Sequence, residues 1–238
     1  MFFKNHQFSI FMLFVCLDAA LFGAAAAAGK ANHAKQEVIK NSVIRTDTGG
    51  SSVSPGQIAL TFDDGPHPVH TEKLLDGLEA RGVKATFFLM GENIEGNEEL
   101  VQRMRDEGHL IGNHSYRHIQ LTKEGEEAVC DAVEQTEEII AGITGFRPEY
   151  LRPPYGDWND SLECRLELIP VFWSLDSLDW RLKNTAQIVR KVTGNVRDGD
   201  IILMHDIFPT SVEAAFQIID LLQAEGYSFV TVDELLID

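Results

Sequence analysis

Cationic side chains are scarce in this sequence. Twenty Lys and Arg stand against 37 Asp and Glu, which leaves a formal net charge of -17 over 238 residues. A surface this acidic argues against nucleic acid as a partner, because phosphate binding needs a concentrated cationic face. It also disfavours adhesion to an anionic membrane surface, and it says little about a neutral glycan. Cysteine is nearly as rare, with only Cys16, Cys130 and Cys164. No CxxC spacing occurs. Cys130 and Cys164 either pair in an oxidising compartment or remain two free buried thiols. A chain of this length needs no covalent staples to bury a core. With 44% hydrophobic and 24% charged residues, the composition is that of one folded globular domain plus a targeting segment.

The one long apolar run is at the N-terminus. Met1–Lys4 carries a single Lys, Phe8–Phe22 is apolar apart from Ser9 and Asp18, and Gly23–Ala28 supplies A-x-A cleavage sites. Residues 1–28 therefore read as a secretory signal peptide. The competing reading is an uncleaved membrane anchor, since Phe8–Ala28 is long enough to span a bilayer. Asp18 and the alanines favour cleavage. Bulky Val15 argues against a lipid on Cys16. Residues 29–56 are polar, end in Gly and Ser clusters, and read as a flexible linker; an ordered arm lying on the domain is the alternative. The expected location is secreted or associated with the cell wall, with membrane contact only if the first segment stays in place. Nothing in the sequence points to an obligate protein partner, and no internal repeat is evident.

From Gln57 onward, short apolar runs alternate with helical periods. Ile58–Phe62, Ala85–Met90, Leu110–Gly112, Tyr150–Arg152, Val171–Ser174, Ile201–Met204 and Ser228–Thr231 read as strands. Glu124–Ile143 and Ser211–Glu225 carry apolar residues at steps of three and four and read as helices, the second with a capping box from Thr210 to Glu213. Such alternation implies an α/β fold with a mainly parallel sheet, open or closed into a barrel.

Reactive residues cluster just after these strands. Asp63 and Asp64 follow the first, His114 the third, Arg152 the fourth, Asp176 and Asp179 the fifth, and His205 and Asp206 the sixth. In parallel α/β folds the carboxyl ends of the strands form one face, and the active site lies there. The spacing of His114 and His118 predicts two imidazoles on one face of a helical turn. Two imidazoles and a carboxylate with open positions suit a catalytic divalent metal. Adjacent Asp63 and Asp64 repel each other, a cost that a nearby cation relieves. Taken alone, HxxxH also fits two surface histidines, Asp-Asp-Gly-Pro an ordinary turn, and His205 a satisfied histidine at a strand end.

Taken in order, five segments resemble the motifs of the polysaccharide deacetylase (NodB homology) family, the family-four carbohydrate esterases. They are Thr61-Phe62-Asp63-Asp64-Gly65-Pro66, His114-Ser115-Tyr116-Arg117-His118, Arg152-Pro153-Pro154-Tyr155-Gly156, Asp176-Ser177-Leu178-Asp179-Trp180 and Leu203-Met204-His205-Asp206. They run from Thr61 to Asp206 and are spread over the expected catalytic domain, residues 57–238.

The resemblance implies a distorted (β/α) barrel with fewer strands than the regular eight. It implies a metal held by Asp64, His114 and His118, zinc first and cobalt or nickel accepted by some members. Asp63 would be the general base, with Arg152 orienting it. The backbone N–H of Tyr155 would meet the oxyanion, and Trp180 and Leu203 would line the acetyl pocket. His205 would be the general acid, oriented by Asp179. Form and export point to N-acetylglucosamine units of peptidoglycan as substrate. Chitin oligomers, O-acetylated xylan and small amides are the alternatives.

Overall fold

The computed structural model describes residues 56–159, 162 and 166–237. The expected signal peptide, nearly all of the linker and Cys164 lie outside the described residues, and with Cys164 the question of its pairing to Cys130.

Among the described residues eight strands run parallel: β1 (Gln57–Asp63), β2 (Thr86–Leu89), β3 (Leu110–Asn113), β4 (Tyr150–Leu151), β5 (Ile169–Pro170), β6 (Leu175–Asp176), β7 (Ile201–His205) and β8 (Ser228–Val230). Seven follow one another in the order β5-β4-β3-β2-β1-β7-β6 and curl into a half-barrel, while short β8 adds to the beginning of β1. The helices α1 (His70–Arg81), α2 (Gly91–Ile94), α3 (Glu98–Asp106), α4 (Glu126–Thr144), α5 (Asp179–Leu182), α6 (Thr185–Thr193), α7 (Pro209–Ala224) and α8 (Val232–Ile237) connect them. A distorted (β/α) barrel is thus the observed fold.

Strand alternation decides what faces where. Ile58, Leu60 and Phe62 of β1 pack outward with Leu74, Leu75 and Leu78 of α1 and Val212, Ala215 and Ile219 of α7 in the main core. Ala59 faces the barrel interior with Phe88, Tyr150, Val171 and Ile201. Continuing that alternation, Thr61 and Asp63 share the inner side with Ala59. The same alternation along β7 puts Ile202 and Met204 outside and Leu203 and His205 inside. The pleat therefore turns two of the five motifs toward one cavity.

Two expectations about elements fail. Val171–Ser174 is not one strand. Its N–H groups are split between two partners: Val171 donates to the Leu151 carbonyl at 2.8 Å and Ser174 to the Ile201 carbonyl at 3.0 Å. The segment crosses the open side of the barrel, from the β4 edge to the β7 edge, and leaves short β5 and β6 on either side. The capping box at Thr210 does not form either. Helix α7 begins at Pro209, with Phe208 as its cap residue and no side-chain cap. Proline presets the helical φ at the first position and has no N–H to satisfy, so the start moves upstream.

Gly112 of β3 is a packing requirement. A Cβ there would lie 2.5 Å from the Phe88 ring and 3.1 Å from the Tyr150 carbonyl oxygen. Gly112→Ala is expected to destabilise the protein by about 1–3 kcal/mol, the usual cost of overpacking. Urea unfolding would measure this, and an unchanged midpoint would mean that the Phe88 ring moves aside freely.

Candidate active site and metal centre

The floor of the site is a buried cation. Arg152, at the end of β4, is fully buried. Its Nη1 donates to Asp63 Oδ1 at 2.8 Å and to Thr61 Oγ1 at 2.6 Å. Its Nε and Nη2 reach the carbonyls of Val171 and Phe172 in the crossing segment, both at 3.4 Å. The guanidinium lies over the Phe88 ring, 4.2 Å from the centroid. Burial draws its pKa below the ordinary arginine value, while the Asp63 carboxylate opposes that shift. Asp63 is 3% exposed, so this is a desolvated, hydrogen-bonded pair with one carboxylate oxygen left for other work.

Beside it, Asp64 Oδ1 is buried and has no hydrogen-bond partner among the described residues. It lies 3.4 Å from His114 Nε2 and 3.5 Å from His118 Nε2. The ligand atoms of the three residues all fall within 4.8 Å of one another. An oxygen facing two ring nitrogens at these spacings is short of a partner that accepts all three lone pairs at once, and a divalent cation is such a partner. The tautomer supports this. His114 Nδ1 is 2.6 Å from the Arg152 carbonyl, which can only accept, so Nδ1 carries the proton and Nε2 presents a lone pair. Burial, followed by the neighbouring His114, lowers the pKa of His118 and favours its neutral form as well. For Asp64, burial raises the pKa, but the histidines around it outweigh burial and the net shift is downward. The three residues fit a divalent metal.

The way the histidines converge differs from the expected helical turn. Residues 114–118 form a loop, in which Ser115 and His118 adopt left-handed conformations with φ of 62° and 52°. Asn113 Oδ1 holds the loop by accepting the Ser115 N–H at 2.7 Å. Asp64 and Tyr155 are also left-handed, at φ 72° and 62°. Non-glycine residues in this region are uncommon, and they gather where a site imposes the geometry.

His205 forms the opposite wall. Its Nδ1 and its backbone N–H both bond the buried Asp179 carboxylate, at 2.8 and 2.7 Å. Nδ1 donates, so Nε2 is the outward atom. Burial alone would depress the imidazole pKa, but the hydrogen bond and charge of Asp179, helped by Asp63 and Asp64, raise it to about 9. Trp180 follows Asp179 and is 48% exposed, whereas Leu203 is 4% exposed on the inner side of β7. Tyr155 is largely exposed and sets its ring 4.5 Å from that of His118.

The ten expected site residues thus fall on strands β1 and β7 or on the segments just beyond the strand ends, Asp179 and Trp180 opening α5. Several supporting residues carried no sequence signal for their part. Phe88 underlies Arg152, Asn93 Nδ2 donates to the Asp64 carbonyl at 2.7 Å, and Thr71 hydrogen-bonds Asp206. Asp206 itself lies in the fifth motif, where no role came with it. It is fully buried, and burial raises its pKa to about 7.

The raised pKa of His205 gives a signed expectation. A group whose folded pKa is above its ordinary 6.5 contributes stability that is complete below pH 6.5 and lost as pH rises through about 9. In metal-free protein, the stability gap between wild type and Asp179→Asn should therefore narrow between those pH values. Denaturant unfolding across the range checks it, and a gap of constant size would remove Asp179 as the cause.

Comparison with known proteins agrees with this geometry. The family model described as polysaccharide deacetylase matches residues 50–168. A peptidoglycan-N-acetylmuramic acid deacetylase of Bacillus subtilis is 40% identical over 206 residues, 86% of this chain and 44% of that protein. A peptidoglycan-N-acetylglucosamine deacetylase of Listeria monocytogenes is 41% identical over 179 residues, 75% of this chain and 38% of that protein. The chain thus spans less than half the length of these relatives. The solved structure of a Bacillus subtilis peptidoglycan deacetylase superposes with a TM-score of 0.74 at 41% identity, covering 76% of this chain and 90% of that one. With the matched model, the shared fold and the Asp-His-His cluster in hand, the chain belongs to the polysaccharide deacetylase family, whose members depend on a divalent metal.

Proposed function

We propose that the chain is a metal-dependent hydrolase that removes N-acetyl groups from N-acetylglucosamine units of a polysaccharide, peptidoglycan first. The observation that carries this is the unpartnered Asp64 Oδ1 between two imidazole Nε2 atoms, with Asp63 alongside. The names of the relatives support peptidoglycan, and they divide between its two amino sugars.

Asp64, His114 and His118 hold the ion, and zinc is the metal proposed, with cobalt or nickel as substitutes. When bound, the ion supplies Lewis acidity to the amide carbonyl and makes a water more acidic. Asp63 takes the proton from the attacking water, with Arg152 keeping its carboxylate aimed. The Tyr155 N–H donates to the oxygen on which negative charge develops. His205, charged near neutral pH and held by Asp179, delivers the proton that the leaving sugar amine requires. Leu203 and Trp180 flank the acyl methyl. Residues 1–28 serve export and residues 29–56 tether the domain, so the enzyme works outside the cytoplasm, secreted or at the wall.

The test is acetate release by zinc-loaded protein from peptidoglycan, chitin oligomers, acetylated xylan and small acetamides. Release from none of them sinks the proposal, and preference for another polymer moves the substrate. Two variants separate the adjacent carboxylates. Asp63→Asn should keep its metal and lose roughly a hundredfold or more in turnover. Asp64→Asn should lose metal first and regain part of its activity in excess metal. A metal titration that shows the reverse pattern exchanges the two roles. Butyryl amides should be poor substrates beside acetyl amides if Trp180 and Leu203 confine the acyl group, and equal rates would contradict that.

A further inference from the structure

One buried acid in the fifth motif has no part in the chemistry above. Asp206 follows His205 at the end of β7 and is 0% exposed. Its Oδ2 accepts a hydrogen bond from the Thr71 hydroxyl in the first turn of α1. Thr71 Oγ1 in turn accepts the His67 N–H at 2.7 Å. Among the described residues, Asp206 Oδ1 has no hydrogen-bond partner of good geometry. Both oxygens press on Gly65, where a Cβ would lie 2.4 Å from Oδ2 and 2.5 Å from Oδ1.

An unsatisfied buried oxygen detracts from stability, so an apolar side chain of this volume would serve the core better. A residue that breaks a local rule without a packing gain points to a site requirement. The surroundings name that requirement. Gly65 is next to Asp64, and the turn they form is already pinned from the β2 side. Asn93 Nδ2 donates to the Asp64 carbonyl, and the Met90 N–H donates to the Gly65 carbonyl at 3.0 Å. Asp206 packs against the same turn from β7, where Gly65 has no Cβ, and its Oδ2 accepts from Thr71, whose Oγ1 in turn accepts the His67 N–H.

We propose that Asp206 is a positioning residue for the metal centre: its buried carboxyl holds the Asp64–Gly65 turn and the start of α1 in the arrangement that places Asp64 beside His114 and His118. This rests on the metal assignment proposed above. It also explains Gly65 as the residue whose missing side chain makes room for the carboxyl.

The experiment measures zinc dissociation constants by chelator competition and the unfolding midpoint of metal-free protein, on the full chain. Asp206→Ala should weaken zinc binding about tenfold or more, the scale seen when the support of a ligand is removed, while the metal-free midpoint stays or rises. Asp206→Asn keeps the volume and an acceptor for Thr71, and should bind zinc within about threefold of wild type. Gly65→Ala should weaken binding by itself but add little in the Asp206→Ala background, because the methyl enters vacated space. Wild-type affinity in Asp206→Ala overturns the proposal. So does an equal loss in Asp206→Asn, which would make charge the cause, and so does a collapsed midpoint, which would mark an ordinary structural residue. Wild-type protein that binds no zinc overturns the metal site and this reading together, whereas unchanged affinity in Asp206→Ala overturns this reading alone.

Discussion

The arrangement of the barrel turns on one cation without water. Arg152 is wholly buried inside the sheet, and its charge is answered by Asp63, by the Thr61 hydroxyl, by two carbonyls of the crossing segment and by the face of Phe88. Removing one partner from such a buried pair costs about 3–5 kcal/mol, because the other charge is left uncompensated. The guanidinium therefore fixes the distance between β1 and β4 more stringently than apolar packing would. The Arg152 backbone works in the same place. Its carbonyl accepts the hydrogen bond of His114 Nδ1–H, so one residue orients both the carboxylate and the first imidazole.

A second consequence of that packing is the economy of room in the barrel interior. Phe88 lies flat beneath the guanidinium only because Gly112 leaves space next to it. The crossing segment supplies carbonyls to Arg152 only because it does not continue as a strand. The short β4, β5 and β6 and the positive φ angles at the site are one phenomenon: regular pairing is given up where the backbone has to deliver groups inward.

Much of this was legible in the sequence, for physical reasons that can be named. The short apolar runs Ile58–Phe62 and Ile201–Met204 located the strands whose ends carry the proposed base and acid, because these strands are buried along nearly their whole length. The resemblance to the five motifs singled out the ten expected site residues. The pairing inside Val171–Ser174 was not legible, since four apolar or small residues look alike whether their N–H groups go to one neighbour or two. The geometry of His114 and His118 was misjudged because i, i+4 spacing suggests a helical turn, and nothing in Ser115-Tyr116-Arg117 announces two left-handed residues. The start of α7 was misjudged because a good capping box competed with a proline one residue earlier, and proline prevailed. Contacts that join distant segments, such as Thr71 to Asp206 and Asn93 to Asp64, leave no trace in local pattern.

The double grip of Asp179 on His205 governs how the proposed acid is reset between turnovers. Both hydrogen bonds go to the same carboxylate, one from the ring and one from the main chain, so the imidazole cannot turn over without breaking the pair. Its inner nitrogen is sealed by that carboxylate, and the side chain is only 13% exposed. Each proton given to a departing amine must be replaced through the same nitrogen that released it, by way of the mouth vacated by the product. Under the proposed function, product departure and reprotonation would then be successive uses of one doorway, and a product that lingered there would delay the next cycle.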